Sequence, residues 1–192
     1  MDSTFVTTNP DGSADSWRST DIDLGAIWYW DRGGVLQDAY TLWTRQGPPA
    51  HDTSFHPALN RVIVQRPSGD AALTGLSQFQ VDATPDNPFD YRLVTPANPD
   101  QSLTLRNIEP PLLRTALMTD LNFCKNAGQA SYQRITQTLG GETEEYIRLL
   151  LPTVGRDGTV ARIHGLTRPV TAAMTQTNEM SHGPGRTPAN NV

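Results

Sequence analysis

Four histidines (His51, His56, His164 and His182), one cysteine (Cys124) and four acidic residues (Asp120, Glu142, Glu144 and Glu145) are the first side chains to weigh for metal binding, nucleophilic attack or proton transfer. Their spacing argues against all three. No pair of histidines has helical spacing, and the acidic residues form no recognisable ligand cluster. A single cysteine excludes an internal disulfide and the Cys-rich zinc sites. Cys124 continues a stripe of leucines, where a thiol acts as a small hydrophobe. There is no G-x-S-x-G elbow and no glycine-rich phosphate loop. Glu142, Glu144 and Glu145 beside Arg148 read as the solvated edge of a hairpin. The residues therefore predict no catalysis and no bound metal.

The elements that would carry these residues are clearest in the last third of the chain. A helix is expected over Pro111–Ala127, started by Pro111 and stopped at Gly128, with Leu113, Leu117, Leu121 and Cys124 at i+4 steps. Three strands follow: Ala130–Leu139, Glu142–Leu151 and Thr159–Leu166. Gly140-Gly141 and Gly155-Arg156-Asp157-Gly158 separate them as tight turns. Ile147, Leu149 and Leu151 share one face of the middle strand while Tyr146 and Leu150 share the other. That pattern predicts a central strand covered on both sides. Leu113, Leu117, Leu121, Tyr91, Leu149 and Ile163 are expected in the core.

Upstream, Arg61–Arg66 and Leu76–Ala83 read as short strands, and Phe89–Val94 alternates with period two. Ala50–Asn60 reads as a loop, and Thr95–Pro110 as loops with one-turn helices. Residues 21–49 form an aromatic-rich extension, divided at Gly33-Gly34 and ended by Gly47-Pro48-Pro49. Residues 1–20 and 171–192 are polar, rich in turn residues and read as disordered. The expected organisation is thus a disordered start, the extension, an ordered domain over 50–170 and a disordered tail.

The chain has 192 residues and a formal charge of −5, with Lys and Arg scattered, so nucleic-acid binding has little electrostatic support. The N-terminus lacks the apolar stretch of a signal peptide, and no apolar run approaches the about 20 residues that span a bilayer. A cytoplasmic protein without membrane insertion is the expectation.

The order strand, strand, irregular stretch, helix and three-strand meander resembles that of the PAS domain. Tyr40–Pro49 (YTLWTRQGPP) is similar to the W-x-x-x-R-G-x-x-P entry of a single-domain PAS family found mainly in alphaproteobacteria. Phe89-Asp90-Tyr91-Arg92-Leu93 resembles its F-x-Y-R-L strand, and Glu145–Pro152 followed by Asp157-Gly158 its penultimate strand and turn. Where that family continues with a residue and then Gly-Thr, this chain has Val94-Thr95-Pro96, a departure that favours a ligand-free accessory subunit. The resemblance implies a five-stranded antiparallel α+β sheet with flanking helices around a cavity that can hold haem, flavin or a metabolite. Among the histidines, His164 is the candidate cofactor residue. It shares a strand face with Arg162, as a polar or interface-facing imidazole would. Asn122-Phe123-Cys124-Lys125 lacks the order of the flavin-adduct motif. No cofactor is the expectation.

With no room for an output domain, the resemblance implies a sensory regulator acting through a protein partner or homodimer. Alternatives are the accessory subunit and an enzyme on an α+β cone fold. Trp28, Trp30, Tyr40 and Trp43 are the expected interface residues, since Trp and Tyr dominate contact energetics.

Overall fold

The computed structural model describes residues 2–67, 69–95 and 98–170. In chain order it contains β1 (Ser3–Thr8), β2 (Ala14–Asp21), α1 (Ile27–Trp30), α2 (Val35–Arg45), β3 (Ala50–His51), α3 (Asp52–Val64), β4 (Ser77–Asp82), β5 (Arg92–Thr95), β6 (Asn98–Thr104), α4 (Pro111–Ala127), β7 (Ser131–Leu139), β8 (Glu142–Val154) and β9 (Val160–Pro169). Among the described residues the strands form one nine-stranded sheet, ordered β1-β2-β7-β8-β9-β4-β5-β6. The neighbours on this path pair antiparallel, and two-residue β3 adds a parallel pairing at Thr153 and Val154 of β8.

The antiparallel α+β expectation holds, with a sheet larger than five strands. At its centre β5, β4, β9, β8 and β7 lie side by side, and helix α4 and the following meander fall where the sequence puts them. Both faces of β8 are covered. Ile147, Leu149 and Leu151 pack with Leu36, Trp43, Phe55 and Leu59 from α2 and α3. On the opposite face Leu150 joins Val81, Tyr91, Leu121 and Cys124, while Tyr146 joins Trp17, Leu112, Ala116 and Ile135. Two helical layers therefore enclose the strand, which explains its run of apolar residues.

Several expectations are corrected. Residues 3–21 are a hairpin on the β7 side of the sheet rather than disordered chain, and Trp17 is fully buried. The turn residues around Asn9–Ser13 close that hairpin, with the Asn9 carbonyl accepting from Gly12 N at 3.0 Å. Ala50–Asn60 and Arg61–Val64 belong mainly to α3, not to a loop and a strand. Pro57 and the β-branched run Val62-Ile63-Val64 obscure this helix, whose Phe55 and Leu59 are buried one turn apart. Phe89 lies in a 3₁₀ turn, because Pro88 fixes the entry and the Asn87 side chain accepts from Phe89 N at 3.1 Å; the strand begins at Arg92. Residues 98–104 add β6.

The buried face of α4 is also rotated from the expected one. Leu112, Ala116, Asp120, Leu121 and Cys124 are buried, whereas Leu113 and Leu117 are only partly so. Tyr91, Leu121, Leu149 and Ile163 are core residues as expected. The tail, with His182, lies outside the described residues.

Candidate functional site

A charged residue in the middle of an apolar strand must find a partner, and Arg148 finds one across the layer boundary. Strand alternation turns it toward α4, and it is 1% exposed. Its Nη2 donates to Asp120 Oδ2 of α4. Nε and Nη2 also donate to Gln133 Oε1 of β7, at 3.0 and 2.6 Å. The Trp17 ring lies 5.6 Å from the guanidinium carbon, within cation–π range. Nη1 is buried and has no hydrogen-bond partner. The reading of Arg148 as part of a solvated edge is thus corrected: Glu145 pairs instead with Arg134, and the exposed Glu144 accepts from Gln137 at 2.7 Å.

A cleft of about 480 Å³ opens beside this guanidinium, between α4 and the sheet. Leu117, Phe79, Tyr146, Arg148, Gln137 and Thr167 line it, with Ser77, Gly75, Glu144, Glu145, Arg168 and Pro169. Gly165 shapes one wall. A Cβ built there would lie 2.0 Å from the Phe79 ring, so only glycine lets that ring rest on β9. The mixture of an apolar body and a few polar groups is that of a small-molecule site.

The second charged network lies on the other face, beneath α3. His164 of β9 is fully buried, and its Nε2 lies 2.9 Å from Asp52 Oδ1. Asp52 also receives Arg162 Nη1 at 3.0 Å and the Thr153 hydroxyl at 3.1 Å. Burial opposes ionisation of Asp52. The His164 hydrogen bond, the Arg162 charge and the Thr153 hydroxyl outweigh it and hold the carboxyl below its ordinary value. Burial pushes the His164 pKa down against the pull of Asp52. A neutral His164 donating from Nε2 to the carboxylate satisfies both directions and leaves Nδ1 as an acceptor. One helical turn along α3, His56 stacks on His164 at 5.6 Å and meets Gln80 at 2.8 Å and Asn60 at 3.2 Å through its two ring nitrogens.

This places His164 in a packed interior facing α3, not toward an interface. His51 is exposed at the start of α3. Among the described residues, no three His, Cys, Asp or Glu side chains come together as a metal site. Cys124 is buried, and burial pushes its thiol up to about 12.

The four expected interface aromatics separate. Trp28 is 45% exposed, and its neighbour Tyr29 75%. Trp30 packs edge-on against Tyr132. Tyr40 stacks on Trp43, whose ring is buried and whose Nε1 donates to the Pro152 carbonyl at 2.8 Å. Trp43 is therefore corrected to a core residue, because its donor needs that internal acceptor. After α1 the chain turns through Gly33, with φ of 69°, and Gly34, where a Cβ would meet the Asp31 carboxylate at 2.2 Å. This brings buried Asp31 against Arg168 of β9.

Sequence reasoning named Asp120 and Arg148 without seeing that they pair, and it missed Asp52 and the burial of Trp17. A lone arginine among Tyr146–Leu151 and an aspartate between Ala116 and Cys124 at i+4 steps are the signals that could have found the first pair.

No protein-family model and no curated protein matches the chain. Among solved structures it is similar to an RNA-binding light-oxygen-voltage receptor, at 16% identity and a TM-score of 0.34, over 56% of this chain and 35% of that one. It is also similar to the periplasmic sensory domain of the Campylobacter jejuni chemoreceptor Tlp1, at 10% identity and a TM-score of 0.35, over 78% of this chain and 56% of that one. The chain thus spans less than two thirds of either.

Proposed function

We propose that this chain is a PAS-like regulatory protein of the cytoplasm. It has no catalytic activity of its own and acts by contact with a protein partner or a second copy. The carrying observation is the cleft at Arg148, bordered by the same strand that reaches the exposed aromatic segment. Thr167 of β9 lines the cleft, while the next residue, Arg168, pairs with Asp31 at the end of α1. Arg168 borders the cleft as well, so one side chain joins the cleft to the end of α1. A change in the cleft that shifts β9 would therefore reach α1, where Trp28 and Tyr29 are exposed. Large aromatics at a surface favour contacts with other chains. No helix among the described residues is long and apolar enough to cross a membrane.

Replacing Trp28 and Tyr29 with Ser tests the contact. Self-association by light scattering, or binding to an isolated partner, should fall at least about ten-fold while the circular dichroism spectrum is kept. Unchanged association in the folded variant overturns the contact role.

A further inference from the structure

We infer that the cleft beside Arg148 takes a small neutral molecule that offers a carbonyl oxygen to the guanidinium and an apolar ring to Leu117, Phe79 and Tyr146. This rests on the regulatory reading above and names the chemistry of its ligand. Arg148 is 1% exposed, and Nη1 is its one nitrogen without a partner. Arg148 lines the cleft but Nη1 itself is covered, so an acceptor reaches it when the side chains over the guanidinium move aside, and it then recovers the cost of a buried unpaired donor. The charge of the site selects what kind of acceptor. Of the charged groups lining the cleft, Arg148, Arg168 and Glu145 are each paired, with Asp120, Asp31 and Arg134, and Glu144 adds a further carboxylate at the rim, so an anion would add to a net negative charge. An amide or ketone supplies the acceptor without that charge. Phe79, Leu117 and Tyr146 provide the apolar contact, and about 480 Å³ is at the small end of ligand-pocket volumes.

The test uses the full chain and three neutral probes, benzamide, acetophenone and N-benzylacetamide, with benzoate as the charged match to benzamide. Binding is read by titration in protein NMR spectra. At least one neutral probe should bind, with benzamide at least about ten-fold tighter than benzoate. Thr167→Trp, which fills the cleft from the position opposite Arg148 on β9, should abolish binding while the circular dichroism spectrum is kept. The double variant Arg148→Met with Asp120→Leu should weaken benzamide to the level of benzoate. Equal or tighter benzoate binding overturns the neutral-ligand assignment. So does benzamide binding that survives Thr167→Trp. If none of the neutral probes binds the wild-type protein, the cleft assignment fails. The Trp28 and Tyr29 association experiment contains no ligand, so that failure is separable from failure of the regulatory reading.

Discussion

Arg148 and Asp120 meet as a fully buried ion pair that ties the central strand β8 to helix α4, with Gln133 of β7 bound to the same guanidinium. The pair stands at the floor of the sheet, beside the cleft and under the Trp17 ring. Its strength lies less in net attraction than in what its rupture would leave behind.

Breaking one partner should therefore cost more than removing both. Arg148→Met strands the Asp120 carboxylate and should destabilise the protein by about 3–5 kcal/mol in urea denaturation. Adding Asp120→Leu should recover most of that loss. If the double variant is no more stable than the single one, the two residues do not act as a pair.

Stability should fall on acidification from neutrality. The ordinary histidine value is 6.5, and folding lowers that of His164. Below 6.5 the unfolded chain therefore takes up a proton that the native state does not, and stability is lost as pH falls. Asp52 acts in the same direction at lower pH, because its folded value is lowered from 3.8. Urea midpoints at pH 7 and pH 5 should differ less in His164→Gln than in the wild type. An equal or larger difference in the variant would place the pH sensitivity elsewhere.

Cys124 should resist thiol reagents in the native protein. Its thiol is buried and pushed up to about 12, so almost no thiolate exists at pH 8. Labelling should become rapid only on unfolding. Fast labelling of the folded protein would show α4 seated differently.

The N-terminal hairpin should be part of the folding unit. Trp17 is fully buried, touches Tyr146 edge-on at 6.3 Å and covers Arg148. Trp17→Ala should cost about 3–5 kcal/mol. A midpoint unchanged by this substitution would mean that the hairpin is not docked.

Helix α4 and the C-terminal meander are legible because local signals agree there: Pro111 starts the helix, an apolar stripe runs along it, and glycine pairs turn the hairpins. The two covered faces of β8 are legible for the same reason, since Leu149 and Leu150 are both apolar. The hairpin over residues 3–21 is not, because its threonines, serines and turn residues match a disordered composition, and only pairing with β7 orders them. Helix α3 is hidden by Pro57 and by Val62-Ile63-Val64, whose local preferences yield to packing of Phe55 and Leu59. The buried pairs are hidden for a different reason. Asp120 and Arg148 are 28 positions apart, as are many acid–base pairs that never meet. His164 and Asp52 are separated by 112. Distance in sequence carries no sign of which charges will be enclosed together.

The most direct measurement of ligand recognition is the guanidinium spectrum of Arg148, from ¹⁵N-labelled protein assigned by comparison with Arg148→Lys. Titration with benzamide should move the Arg148 Nη resonances while the surface arginine Arg18 stays in place. Saturable binding that moves resonances elsewhere and leaves those of Arg148 unchanged would contradict a carbonyl ligand held at this guanidinium.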